Sequence, residues 1–324
     1  FFESDKKYGD LYKGIRHVKA GRLKLAEDAY KRVLKKDKNN IDALRLLGLL
    51  AFKTKDYEVS ERLFLRVLEL DPTFSLAWDN LAKLYRIQNK LSKSVPAFKN
   101  LIKLDPNNFE VAVLYARSCY FIGHYIETEP IKSDSLFLEG MNTAWDFIIS
   151  TDSYQEGTAL VEGDSEAKII GGIENISQDL IPLLYWWTAN YARYLITKPV
   201  MYRLENRDKI ESALHRVISF KPDYFYHGAN RIFGGMYARL PGVDLIHAEN
   251  NFEKSIEGSP NYFSTYVVRA QYLHTKNGNR EKFIQDLQKI LNMDPTVLPE
   301  VSPENLFEQE NARKLLSKEN SLFK

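Results

Sequence analysis

A chain of 324 residues can bury a large core, and its 44% hydrophobic and 27% charged content is ordinary for a soluble globular protein. A net charge of +2 argues against bulk nucleic-acid binding, which needs a concentrated basic surface. The single cysteine, Cys119, excludes an internal disulfide, and the longest apolar stretch, Leu180 to Trp187, is too short to span a membrane and is broken by Pro182.

In chain order, the first legible feature is a period of 34 residues. Asp71-Pro72 returns as Asp105-Pro106, Gly48 as Ala82 and Ala116, Leu47 as Leu81, and Phe64 as Phe98. Residues 7 to 38 read as a degraded copy. Gly14 and Tyr30 each stand 34 before Gly48 and Phe64, and Asp37-Lys38 takes the Asp-Pro phase. Within a unit, Leu44, Leu47, Leu50 and Ala51 give one face of a first helix, and Tyr57, Leu63, Phe64, Val67 and Leu68 one face of a second. Asp-Pro then stops the second helix, because the residue before proline is pushed out of the α region. A fourth first helix is predicted over Phe109 to Gly123, after which Pro130 and Ser133-Asp134-Ser135 interrupt the pattern.

Beyond residue 130, 136 to 150 reads as an amphipathic helix, and 151 to 180 as a helix-containing insert with a loop near 162 to 165. Ile181 to Ile196 is apolar almost all round, as a helix buried on most sides would be. Further helices are predicted over Tyr224 to Leu240, Asp244 to Glu257, Asn261 to Thr275 and Arg280 to Met293. Lys221-Pro222, Ser259-Pro260 and Asp294-Pro295 close stretched units, with Pro241-Gly242 as an inserted turn. Pro303 to Ser317 reads as a closing helix with a polar outer face.

The 34-residue period, the small residue, the aromatic and the terminal proline resemble tetratricopeptide repeats. The expected fold is all-α: a right-handed solenoid of antiparallel helix hairpins, with regular repeats over 1–125 followed by irregular, stretched ones over 126–324. Several later stretches resemble the TatT family, the tetratricopeptide-like lipoproteins associated with TRAP-type transporters. They are Leu184-Tyr185-Trp186, Tyr224 to Gly228, Tyr237 to Gly242, Phe252-Glu253-Lys254, Ser259 to Tyr262 and Asn311 to Leu316. The resemblance covers about 130 to 316.

It implies a periplasmic protein that partners a solute-binding protein and assists delivery of a small apolar or carboxylate-bearing ligand. A trimer or other homo-oligomer would fit the family. The chain opens on Phe1-Phe2 rather than Met, so a signal peptide or lipid-anchor cysteine is expected upstream, and membrane contact only through that anchor. Two other readings stand beside this one: a cytoplasmic scaffold that gathers acidic peptide tails, and an enzyme with its site in 150–270.

No catalytic, cofactor or metal motif supports an enzyme; HExxH, GxGxxG, a P-loop and GxSxG are all absent. Cys119 and His124 read as a packed cysteine and a surface histidine, and His227 and His247 lack a nucleophile or paired base. Two binding features are predicted. The first is a partner groove carrying Arg45, Asn80, Lys83, Arg86 and Arg117, at first-helix positions that line the concave face in tetratricopeptide arrays, where charge-assisted bonds would hold carboxylates. The second is an aromatic ligand pocket drawn from Tyr185, Trp187, Asn190, Tyr194, Asn230, Arg231, Tyr237 and Arg269, with Arg193 and Arg239 nearby on the same helices.

Overall fold

A computed structural model of the chain describes residues 2–88 and 90–323; Phe1, Asn89 and Lys324, and the side chains of residues 2–8 and Leu91, lie outside the described residues. The expected all-α repeat fold is what the chain adopts, with no strand among the described residues. The helices fall into two compact units, one up to Val111 and one from Ala112 onward.

The first unit is built of hairpins: α1 (Phe2–Lys19) with α2 (Leu23–Lys36), α3 (Ile41–Lys53) with α4 (Tyr57–Leu70), and α5 (Ser75–Ile87) with α6 (Leu91–Leu104). Each second helix stops at an aspartate with extended backbone, φ −141° at Asp37, −143° at Asp71 and −143° at Asp105. Asp37 does this although Lys38 follows it in place of proline, so the stop does not depend on proline alone. The small residue of each period sits where the hairpin crosses closely. A β-carbon on Gly48 would stand 2.7 Å from the Phe64 ring, and one on Gly14 would run into Tyr30. Ser60 ties the same crossing by donating to the Gly48 carbonyl at 3.0 Å.

After α7 (Phe109–Phe121) comes a π-helical turn, Ile122–Ile126, and then α8 (Pro130–Ile149). The expected interruption at Pro130 is instead a helix start, since proline at the first helical position loses only an amide that has no partner there. The insert forms α9 (Asp152–Leu160) and α10 (Ser165–Glu174), with the anticipated break between them. There follow α11 (Ile181–Leu195), α12 (Val200–Glu205), α13 (Arg207–Phe220), α14 (Tyr224–Arg239), α15 (Leu245–Gly258), α16 (Ser264–Val268), a π-helical stretch (Arg269–His274), α17 (Arg280–Leu291), α18 (Ser302–Ser317) and α19 (Glu319–Leu322). As its composition implies, α11 is enclosed on most sides, with eleven of its residues buried.

One expectation is corrected here and another extended. The Tyr224 to Leu240 segment is not one smooth helix, because Phe225, Tyr226 and His227 all take left-handed backbone (φ 46°, 59° and 52°). The closing helix α18 turns polar side chains inward as well as outward: Glu304, Asn305, Glu308 and Gln309 are buried. Asn305 and Gln309 bond backbone groups left open where neighbouring elements end. Asn305 accepts from the Phe263 amide at 3.1 Å, and Gln309 donates to the Ile290 and Met293 carbonyls at 2.8 and 3.0 Å.

Candidate functional site: an arginine-lined chamber

The second unit holds a half-open chamber with a water-accessible volume of about 90 Å³. Its walls come from one face each of α11, α13 and α14, with Tyr120, Arg203 of α12, Val268 and Tyr272 completing the lining. On α14 the lining residues Arg231, Ile232, Gly235, Met236 and Arg239 recur at helical spacing, so one stripe of that helix faces the space. The walls are mostly apolar, from Leu195, Ile196, Ile210, Ile232, Met236 and Leu240.

Five arginines interrupt that apolar surface: Arg193, Arg203, Arg207, Arg231 and Arg239. No aspartate or glutamate lines the chamber. Arg207 is neutralised from behind by Glu211 at 2.6 Å. Arg193, Arg231 and Arg239 have neutral partners. Arg193 reaches the Tyr120 hydroxyl at 3.4 Å and His124 Nε2 at 2.7 Å. Arg231 donates to the Tyr226 carbonyl at 3.2 Å and the Tyr185 hydroxyl at 3.1 Å. Arg239 donates to the Ile196 carbonyl at 3.2 Å and lies over the Tyr272 ring at 4.9 Å. Arg203 has a buried Nε with no hydrogen-bond partner. Burial, together with the positive fields of Arg203 and Arg193, pulls Arg239 below the ordinary arginine value despite the opposing influence of Tyr272.

Arg193, Val268 and Tyr272 also border a second, polar cavity of about 250 Å³, lined by His124, Gln271, Glu308, Asn311 and two lysines, Lys314 and Lys318, among others. His124 is not the surface histidine expected from sequence: only 17% of its side chain is exposed. Arginine can only donate, so His124 Nε2 accepts from Arg193 and the neutral ring carries its proton on Nδ1. Burial and then the Arg193 charge hold His124 down to about 4. Glu308 lies 3.9 Å from that ring and accepts instead from the Tyr125 hydroxyl at 2.8 Å and from Asn311 at 3.1 Å.

Of the aromatic and arginine residues singled out from sequence, Arg231 lines the chamber together with Arg193 and Arg239. Tyr185 backs it, holding Arg231. Trp187 stacks on Trp145 at 4.8 Å within the core. Asn190 is fully buried and ties α11 to α7 by donating to the Ala116 carbonyl at 2.9 Å. Tyr194 sits under Lys198, whose ammonium lies 4.0 Å from the ring centroid. Asn230 and Tyr237 border a separate open cleft of about 680 Å³. Arg269 is engaged in a two-pronged pair with Asp286 at 2.7 and 2.6 Å, where His274 also contacts the carboxylate at 3.2 Å. Sequence reasoning missed Arg203 and Arg207. A usable signal existed on α14, where 232, 235, 236 and 239 mark one helical face.

The groove residues divide between the units. Arg45, Asn80, Lys83 and Arg86 belong to the first unit and Arg117 to the second. Arg45 Nε and Asn80 Nδ2 are buried without partners, Lys83 pairs with Asp79 at 2.8 Å, and Arg86 is exposed. Arg117 contacts Glu304 at 3.3 Å and lies over the Trp186 and Phe225 rings. Among the described residues no group of histidine, cysteine and carboxylate side chains is arranged to hold a metal ion, and no helix is long and apolar enough to cross a membrane.

Comparison with known proteins follows the same division. Two tetratricopeptide-repeat models match residues 12–73 and 63–95. The similar solved structures are distant. A tetratricopeptide repeat protein from Parabacteroides merdae is 17% identical with a TM-score of 0.46, covering 94% of this chain and 98% of that one. Yeast Tom70 is 14% identical with a TM-score of 0.34, covering 99% of this chain and 85% of that one. A mutant O-GlcNAc transferase of Thermobaculum terrenum is 20% identical with a TM-score of 0.34, over 44% of this chain and only 27% of that one. No curated protein matches. The model of the TRAP transporter T-component matches residues 127–323, more than half of the chain and nearly all of the unit that holds the chamber, and the chain therefore belongs to the TRAP transporter T-component family.

Proposed function

We propose that the protein is a non-enzymatic accessory of a periplasmic transport system of the TRAP type, in which it engages the solute-binding protein and accepts a small ligand in its chamber. The observation that carries this reading is the coincidence of the T-component match over 127–323 with a chamber lined between Tyr120 and Tyr272. A chamber with apolar walls and a few convergent polar groups is the ordinary form of a small-molecule site. The repeats of the first unit supply the partner surface in this reading, through Arg45, Asn80, Lys83 and Arg86. Arg117 belongs to the second unit and stands outside that surface. The same reading places the protein in the periplasm, held to the membrane by a lipid anchor upstream of the sequence.

The test is recovery of partners with the tagged protein from the cell envelope of the native organism. The solute-binding protein should dominate, and reversing Lys83 and Arg86 to glutamate should reduce its recovery several-fold, as rim charges do when they steer association. Recovery of cytosolic partners only, or unchanged recovery after reversal, would favour the scaffold reading or dismiss the groove respectively.

A further inference from the structure

The open cleft of about 680 Å³ lies on the face of α14 opposite the chamber. Asn230, Phe233 and Tyr237 recur at helical spacing and turn into the cleft, while Arg231, Gly235 and Arg239 turn into the chamber. From the flanking helices α13 adds His215 and Ile218, and α15 adds Asn251 and Lys254. The cleft has an aromatic side and an amide side. Phe233, 2% exposed, is the floor of the first. Tyr237 stacks on it at 5.4 Å and His215 tilts against it at 4.9 Å. Tyr237 is half-buried and His215 exposed, so both keep ring surface uncovered, and Glu211 engages the Tyr237 hydroxyl and steadies that ring. On the amide side, Asn230 is only 7% exposed. It donates to Asn251 Oδ1 at 3.1 Å, and Asn251 donates onward to the His247 carbonyl at 2.9 Å. That chain uses the amino group of Asn230 and leaves its Oδ1 without a hydrogen bond among the described residues. Buried side-chain acceptors are nearly always bonded, so this one is completed by a donor that enters the cleft.

We propose that this cleft binds a neutral oligosaccharide. A sugar ring has a face of C–H bonds and a rim of hydroxyls, each both donor and acceptor. The C–H face fits against Tyr237 and His215, because the negative face of an aromatic ring attracts weakly positive hydrogens. The hydroxyls match Asn230 Oδ1 and, around it, Asn251, Lys254 and Glu257. Lys254 and Glu257, the one lysine and the one carboxylate of the lining, offset each other, so an anion meets no net field there. A wholly apolar molecule would strip water from the same polar groups and give no hydrogen bond in return. An extended peptide can bond Asn230 but reaches the rings only through a suitable side chain, which makes it the competing occupant. The site stands apart from the chamber and from the transport reading, and the failure of either leaves it in place.

The experiment is titration calorimetry on the whole chain with maltotriose, cellotriose and triacetylchitotriose, set against sialyllactose and a capped trialanine peptide. At least one neutral trisaccharide should bind saturably, at one per chain, and more tightly than the anionic sugar or the peptide. His215→Ala removes an exposed ring and should weaken that binding about three- to tenfold while the protein melts as before. Asn230→Ala should weaken it about tenfold. That variant also strands Asn251, so His215→Ala is the one that separates binding from folding. Arg203→Gln, on the chamber side, should leave sugar binding unchanged. The assignment is overturned if no trisaccharide saturates the protein up to roughly 10 mM, beyond the weak end of specific affinity. Equal or tighter binding of the peptide or of sialyllactose would also overturn it, and so would sugar binding that survives His215→Ala intact or is lost in Arg203→Gln.

Discussion

At the scale of single residues, His124 is the group whose chemistry departs furthest from its sequence reading. It faces Arg193 and Glu308, with Tyr120 and Tyr125 against its ring. Its ordinary value of 6.5 falls to about 4 because the site is buried and Arg193 opposes a second positive charge. Between those values the unfolded ring takes up a proton that the folded ring refuses, so acid favours unfolding. Stability from this group is fully present above pH 6.5 and is lost as pH falls toward 4, by about 3 kcal/mol at most. His124→Gln, which keeps an acceptor for Arg193 but cannot titrate, should flatten the pH dependence of melting between 6.5 and 4. An unchanged slope in the variant would assign the acid sensitivity elsewhere. Nothing in the local sequence marked His124, because its partners Arg193 and Glu308 lie 69 and 184 positions away and only the tertiary fold joins them. The same distance hid the chamber. Arg203 and Arg239 belong to different helices, and sequence ranks an arginine by its neighbours in the chain, not by the carboxylate it lacks in space. Asn190 shows the converse: its polarity within an apolar helix was legible, but its role of tying α11 to α7 required knowing what stands opposite.

At the scale of elements, the left-handed stretch at the start of α14 stands out. Left-handed backbone costs a residue bearing a β-carbon about 1–2 kcal/mol, and Phe225, Tyr226 and His227 all adopt it. Side-chain packing holds them there. The Phe225 ring lies 4.7 Å from Trp186, Tyr226 stacks on Tyr262 at 4.8 Å and its hydroxyl reaches Glu300, and His227 meets Ser259 at 2.9 Å. Gly258 makes this possible, since a β-carbon there would overlap the His227 ring. Arg231 is the clasp, bonded to the Tyr226 carbonyl. Arg231→Leu should strand that carbonyl and the Tyr185 hydroxyl, destabilise the protein by about 2–4 kcal/mol, and speed hydrogen exchange at the amides of 224–228 before the rest of α14. Uniform exchange along α14 would show that the turn does not depend on the arginine. Periodicity predicted a helix over this stretch and was right about its face. It could not show the three left-handed residues, because their aromatic side chains suit a helix as well as a turn, and the deciding contacts come from α11, α15 and the Tyr262 segment.

At the scale of the whole molecule, one packing device runs through both units and explains why the architecture was readable from a 34-residue period. A glycine of one helix receives an aromatic ring of the next. The pairs are Gly14 with Tyr30 and Gly48 with Phe64 in the first unit, and Gly123 with Phe137 and Gly234 with Phe252 in the second. The spacing is 16 residues in the regular repeats and becomes 14 and 18 later, so insertions stretch the period while the crossing survives. If that crossing is what each unit needs, its cost should be similar in both. Gly48→Leu and Gly234→Leu should each destabilise by roughly 2–4 kcal/mol, since Phe64 and Phe252 are fully buried and have no room to retreat. Alanine at either position should cost less than leucine but still about 1–2 kcal/mol, because its β-carbon would stand 2.7 Å from the Phe64 ring or 2.8 Å from the Phe252 ring. Denaturant unfolding of the four variants checks this. A tolerated leucine at 234 with an intolerant 48 would mean that the second unit has replaced the crossing with other contacts, and that its resemblance to the repeat is one of descent and not of present packing.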